Sequence, residues 1–338
     1  MILPILHGPR DLRIEELPLD TDNLKPEEIW VETEISALKI GTDRGNYEGA
    51  EQVPGAPDYP RWVGDSNLGI VRGIGEAVER FCVGDRVLSL LPHQSDYVAD
   101  ENSRIVKVPD GIHPEDAVYG NLYTLSAHCY WKGHFRPGEN VAIVGLGVLG
   151  MGAVAVGTAF GARVIGIGNN ETRLEMAKKM GAHETLMHND PELHEKLNEI
   201  TDGDGVDLVI QTANPWPAYR TSCQIARKNG RVAIVSLPGR GEPPLDFNPL
   251  DMNWFYAKGL SLIAVSGPES YLYPAEEGHF DGNKRVAFIL KLMKEGKVEP
   301  KRLVTHRFHY TDIPQAYEMA YRREKSMLGV IFYWKETP

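Results

Sequence analysis

Cysteine is scarce in this 338-residue chain, which has only Cys82, Cys129 and Cys223. Three scattered thiols with no C-x-x-C pair exclude a disulfide framework, a zinc ribbon and a redox dithiol motif, and they suit a reducing, cytoplasmic compartment. No apolar run reaches the roughly 18 residues that a membrane span needs. The opening stretch MILPILHGPRDLRIEE has no basic head followed by an apolar core, so no signal peptide is expected. Positive charge is in deficit too: 36 Lys and Arg against 47 Asp and Glu leave a formal charge of −11. Such a surface repels phosphate backbones and anionic lipid, which argues against nucleic acid or a membrane as partner. It leaves room for one local basic pocket. Repeats and low-complexity linkers are also missing.

What is present is the mixture of a folded chain, 42% apolar and 25% charged, with an excess of glycine at 34 residues. The length predicts two domains. Up to about residue 120 the chain reads as short strands: 28–36 (EIWVETEIS), 67–73, 85–91, 97–99 and 104–108, with Gly and Pro between them. That spacing predicts a small barrel or sandwich. The pattern then changes to alternation: a helix over 122–131, a strand at 140–144 (NVAIV), a helix over 148–160 and a strand at 163–167. A helix over 172–180, a strand at 206–211, a helix near 218–226 and strands at 231–235 and 260–265 follow. Apolar strands alternating with helices predict βαβ units and a parallel sheet. The tail returns to strands, LVTHRFHY and GVIFYW, around a helix at 314–321.

Gly145, Gly147 and Gly150, with Val148 and Leu149 between the last two, form G-x-G-x-x-G at the turn from NVAIV into an apolar helix. In that context the first glycine makes the turn, the second admits a pyrophosphate and the third lets helix and sheet pack closely. The helix N-terminus then favours the phosphates, so a dinucleotide is expected in preference to a mere packing turn. The acid that normally receives the ribose hydroxyls of NAD is replaced by Gly168. Asn169, Asn170 and Thr172 offer neutral hydrogen bonds, and Arg173 either supplies charge for a 2′-phosphate or simply begins the next helix. NADP(H) is therefore expected over NAD(H), which stays open. Gln211-Thr212-Ala213 ends a later strand, where ribose contacts are expected, and Ser236-Leu237 and Ser266-Gly267 close the two strands after it, with Thr212, Leu237 and Ser266 as cofactor-binding candidates.

Other blocks are Gly41-Thr42-Asp43 after a strand, Gly64, Gly69-Ile70-Val71, Gly84-Asp85-Arg86-Val87 and Arg136-Pro137-Gly138-Glu139. Arg173-Leu174 to Gly181-Ala182, Asn229-Gly230-Arg231-Val232 and Gly296-Lys297 to Thr305-His306-Arg307-Phe308 complete the set. Nearly end to end, this layout resembles the medium-chain dehydrogenase/reductase superfamily, on the side of its zinc-type alcohol and polyol dehydrogenases. The resemblance implies an α/β fold: a GroES-like β-rich catalytic domain (1–120 and 283–338) plus a Rossmann doubly wound parallel sheet (121–282). It also implies a homodimer, with 260–265 as the pairing edge if that strand lies there, and it places Thr124 near the nicotinamide.

The zinc pattern of that branch is broken. The Cys slot of its C-G-T-D block is Ile40, its Gly-His-Glu reads Gly64-Asp65-Ser66, and its later ligand slot falls at Gly120 or Asn121. A zinc site needs three or four converging N, S or O ligands, so no metal is expected. His306 and His309, three apart on a strand, point to opposite faces and do not replace it. In the zinc enzymes the metal polarises a carbonyl while a nicotinamide exchanges hydride. Without it the chemistry needs hydrogen-bond donors or an electron-poor substrate. By the resemblance Thr42 matches the proton-relay hydroxyl, and Asp65 and Ser66 stand in vacated ligand slots as candidate catalytic residues. Asp43 matches an outer-shell acid or is a turn residue, and Tyr47 and His93 are donors or ordinary packed residues. The expected activity is zinc-independent, NADP(H)-preferring hydride transfer with a small alcohol or carbonyl substrate. Reduction of an activated C=C or C=N bond, with Asp65 facing an iminium, and a nonenzymatic NADP(H)-binding redox sensor are the alternatives.

Overall fold

A computed structural model describes residues 1–50, 57–265 and 282–335. Contacts divide the chain into two compact units: Met1–Leu122 with His279–Gly296 and Pro300–Pro338, and Tyr123–Gly278 with Lys297–Glu299.

The first unit is built from β1 (Ile2–Gly8), β2 (Asp11–Glu16), β3 (Glu28–Ala37), β4 (Arg61–Trp62), β5 (Asn67–Ile74), β6 (Arg86–Ser89), β7 (Asp96–Asp100) and β8 (Ile105–Lys107). The second unit carries β9 (Asn140–Val144), β10 (Arg163–Gly168), β11 (Glu184–Met187), β12 (Val206–Gln211), β13 (Ala226–Ile234) and β14 (Ser261–Ala264). β15 (Val304–His309) and β16 (Gly329–Tyr333) return to the first.

In the first unit β3 is central. Its burial alternates along EIWVET, and its last residues, Ile35 to Ala37, are buried in succession as it enters the core. It pairs antiparallel with β5, β7 and β16 in a seven-stranded sheet, while β2, β1 and β4 form a separate three-stranded one. Leu6, Leu38, Tyr47, Val63, Tyr317 and Phe332 pack a core beneath the segments that flank residues 39 and 65. The helix Ile40–Glu48, absent from the sequence reading, begins directly after this strand and stops at Gly49, whose φ of 75° is the left-handed C-cap.

In the second unit the six strands run in the order β11-β10-β9-β12-β13-β14, all paired parallel. β9 is buried at all five residues, as a central strand covered on both faces must be. The crossover helices Val148–Ala159, Glu171–Lys179 and Trp216–Ile225 match the predicted ones within two residues. β11 and the helix Leu193–Ile200 were not foreseen, because ETLM is short and only half-buried. No described helix is long and apolar enough to cross a membrane.

Candidate functional site

In the second unit, β9 ends in a glycine turn that only glycines can make. Gly145 has φ of +102°, and a methyl on Gly150 would stand 1.9 Å from the Gly145 carbonyl oxygen. Thr212 locks the turn from the neighbouring strand, its hydroxyl donating to that same oxygen at 2.7 Å. Gly147, by contrast, has nothing within 4 Å of where a Cβ would be, so space is left in front of the helix. No side chain caps the helix there. Open space before an uncapped helix N-terminus, reached by Val148 and Leu149, fits the pyrophosphate of a dinucleotide.

At the end of β10, Gly168 is buried, and a side chain there would meet Leu146 Cδ1 at 2.9 Å. The position is thus empty of charge, and any side chain there would have to push the tip of Leu146 aside. Asn169 is exposed. Asn170 caps the helix Glu171–Lys179, its Oδ1 accepting from the Arg173 N–H at 3.3 Å. Arg173 is half-buried instead of facing solvent, and burial holds its guanidinium below the usual value. Asn214 Oδ1 accepts from the Leu237 N–H at 3.1 Å, and Leu237 is 40% exposed. Thr124 is half-buried in the helix Gly120–Lys132. Ser266 lies outside the described residues.

In the first unit, four segments bring polar side chains together. Leu38 is fixed by donating its N–H to the Val330 carbonyl oxygen, and Lys39 follows as the N-cap position of the helix Ile40–Glu48. Lys39 Nζ lies 2.8 Å from Asp65 Oδ1, with the lysine side chain 14% and the aspartate 45% exposed. Asp43, one turn on, is buried, and its Oδ2 accepts from the Lys39 N–H at 2.8 Å. Burial and the nearby Asp65 charge push the Asp43 carboxyl up to about 7, and Tyr317 stands against it.

His93 completes the cluster. Its N–H donates to the Val63 carbonyl oxygen, which ties its loop to the one carrying Asp65. The ring is fully buried, and burial pushes it down to about 3, so it is neutral. Trp334 Nε1 donates to Ser36 Oγ at 3.0 Å, and the Ser36 hydroxyl lies 2.8 Å from His93 Nδ1. The Ser36 hydroxyl has one proton and two lone pairs, so it accepts from Trp334 and still pairs with either tautomer of the His93 ring. Nε2 and the Tyr317 hydroxyl are both buried with no hydrogen-bond partner among the described residues.

The other candidates are placed differently. Thr42 is exposed in the first helical turn. Ser66 is buried, and its hydroxyl donates to the Val118 carbonyl oxygen at 2.5 Å. Tyr47 donates to Glu318 Oε2 at 3.1 Å. Sequence reasoning missed Lys39 and Tyr317. Lysine directly before the emptied Ile40 slot was a usable signal, whereas Tyr317 comes from a distant helix and had none.

The donors present do not fit a zinc ion. Ile40 and Gly120 offer no ligand atom, Asn121 donates its side-chain N–H to the Ser89 carbonyl oxygen at 2.9 Å, Ser66 is held by a carbonyl, and Asp65 already faces an ammonium that would repel a second cation. His306 and His309 each approach a neighbouring threonine hydroxyl, of Thr305 and Thr311 respectively, at 2.8 Å.

Residues 148–276 match the family model described as "Zinc-binding dehydrogenase". The sorbitol dehydrogenase of Bacillus subtilis (strain 168) is 25% identical, with 97% of this chain and 96% of that protein covered. The L-threonine 3-dehydrogenase of Bacillus licheniformis is 32% identical across 67% of this chain and 60% of its own length. Among solved structures, galactitol-1-phosphate dehydrogenase from Escherichia coli superposes with a TM-score of 0.81 at 19% identity, covering 98% of this chain and all of that one.

Proposed function

The chain belongs to the medium-chain dehydrogenase/reductase superfamily and is an NAD(P)-dependent oxidoreductase, and on that premise we propose that it works without zinc. Its reaction is hydride transfer between NADP(H) and a small alcohol or carbonyl compound. The observation that carries the zinc-free reading is the Lys39–Asp65 ion pair beside the slots where the branch keeps its ligands. A bound nicotinamide supplies or accepts the hydride.

We take the second unit as the dinucleotide domain. Gly145, Gly147, Val148, Leu149 and Gly150 receive the pyrophosphate, and Thr212, Leu237, Ser266 and Thr124 serve the ribose and nicotinamide. Gly168, Asn169 and Asn170 leave no carboxylate to repel a 2′-phosphate, and Arg173 supplies its charge. The first unit is the substrate domain. Exposed Thr42 carries the proton to or from solvent, Asp65 contributes charge, and Ser66 fixes the backbone beside it.

The ion pair also decides between substrate classes. The Lys39 ammonium is the more covered member of the pair, at 14% exposed against 45% for Asp65, so a carbonyl or alcohol oxygen that accepts from it is a better fit than a cationic iminium that it would repel. The covered lysine and the buried His93 Nε2, unpartnered among the described residues, favour an enzyme over a relic sensor. A cytoplasmic homodimer completes the proposal, pairing at β14, the end strand of its sheet.

The test is direct: titration with NADPH and NADH, metal analysis of the purified protein, and turnover on carbonyl, polyol and enone panels. Expected are tighter NADPH binding, less than about 0.1 zinc per chain (roughly the level of adventitious metal) and turnover on carbonyls. Stoichiometric zinc overturns the reading.

A further inference from the structure

We propose that Lys39 is a catalytic residue whose ammonium holds and polarises the reacting oxygen of the substrate, with Asp65 as its positioning residue. This rests on the zinc-free oxidoreductase reading above and adds the group that takes the place of the Lewis acid.

Four observations converge on it. Lys39 Nζ is 2.8 Å from Asp65 Oδ1, so the aspartate fixes the direction of a side chain that would otherwise be free. An ammonium has three donors, and one such pairing leaves two of them. Lys39 is only 14% exposed while its partner is 45% exposed, so the cation sits in the covered part of the site, where a charge acts more strongly than in water. Finally, the polar groups around the pair are not all used by the fold: His93 Nε2 lies against Gly64, next to Asp65, and has no hydrogen-bond partner among the described residues. Buried polar groups are normally satisfied, so one left over beside an ion pair marks a place built to receive a polar ligand.

In the reducing direction the carbonyl carbon receives the hydride, with its electron pair, from the reduced nicotinamide. The C–O π pair moves onto the oxygen, where Lys39 Nζ stabilises the developing negative charge. That oxygen takes one proton from the Thr42 hydroxyl, and solvent replaces it. The carbonyl is reduced by two electrons and the nicotinamide oxidised by two; alcohol oxidation is the reverse.

The test compares wild type, Lys39→Ala and Lys39→Met, the second keeping the side-chain volume if the alanine protein folds poorly. Removal of a donor of this kind lowers kcat by about 100- to 1,000-fold. NADPH affinity stays within about twofold, since removing an interaction made only in the transition state leaves binding unchanged. Added methylamine or ethylamine restores at least about tenfold of the lost Lys39→Ala rate, while cyclohexylamine does not, because only a small ammonium fills the vacated volume. Butyrate, an anionic oxygen probe independent of turnover, binds Lys39→Met at least about tenfold more weakly than wild type by calorimetry. Variants within threefold of wild type in kcat, a loss that no amine rescues, or unchanged butyrate affinity overturns the role of Lys39. Stoichiometric zinc or an inactive wild type overturns the parent reading instead, and in that case the butyrate comparison still decides Lys39.

Discussion

Asp43 and His93 have opposite pH dependences within one cluster, and single substitutions should expose what the wild type cancels. The Asp43 carboxyl is raised from 3.8 to about 7 by burial and by Asp65, so the folded protein keeps a proton that the unfolded chain loses. Its contribution to stability is full below pH 3.8 and is lost as pH rises through about 7. The His93 ring is lowered from 6.5 to about 3, chiefly by burial. Its contribution is full above pH 6.5 and is lost as pH falls toward about 3. From about pH 5 to pH 8 the Asp43 contribution falls by about 3 kcal/mol and the His93 contribution rises by about 2 kcal/mol.

The two largely offset in the wild type. Over that interval Asp43→Asn should therefore gain about 2 kcal/mol, and His93→Gln should lose about 3 kcal/mol. The double variant should return close to the wild-type slope, because Lys39, Asp65 and every other charged group are shared by all four proteins. Urea unfolding at the two pH values, followed by circular dichroism, reads these differences, and slopes rather than absolute stabilities cancel the packing cost of each substitution. Single variants whose pH dependence runs parallel to wild type would refute the coupling.

Gly150→Ala should weaken NADPH binding at least about 100-fold, because its methyl stands 1.9 Å from the Gly145 oxygen and the phosphate turn must open; fluorescence titration checks it. Arg173→Ala should weaken NADPH about tenfold, the scale of one charge-assisted phosphate contact, and leave NADH nearly unchanged. Equal losses for both cofactors would remove Arg173 from the 2′-phosphate. Glu115 accepts from Arg307 at 2.7 and 2.6 Å and from the Tyr333 hydroxyl at 2.7 Å, so Glu115→Gln should lower unfolding stability by about 1–3 kcal/mol in urea.

The parallel sheet was legible because its central strands are continuous apolar runs bounded by glycine, and the tight turn after β9 because three glycines obey a rigid spacing. β11 and the helix at Ile40 escaped for opposite reasons. ETLM is an edge strand with no buried face to betray it, and IGTDRGNYE has little apolar periodicity and buries chiefly Asp43, Gly45 and Tyr47. The departure from the branch's ligand pattern could be read from Ile40 and Gly64-Asp65-Ser66, but the lysine that pairs with Asp65 could not. An ammonium reaching Asp65 across 26 positions of chain is a product of folding, as is a tyrosine approaching Asp43 from residue 317. Ser66 shows the reverse limit, since its place in a motif says nothing of the Val118 carbonyl that engages it.

The helix that follows the phosphate turn is pinned along its length. Ser126 donates to the Leu149 carbonyl oxygen at 3.0 Å and Tyr130 to that of Ala153 at 2.6 Å. Both hydroxyls press on glycines, 2.5 Å from a Cβ on Gly152 and 2.0 Å from one on Gly157. A helix fastened at two heights to its neighbour keeps its N-terminal tip in register with the glycine turn. On the proposed dinucleotide reading, the phosphate end of the site is therefore its fixed end.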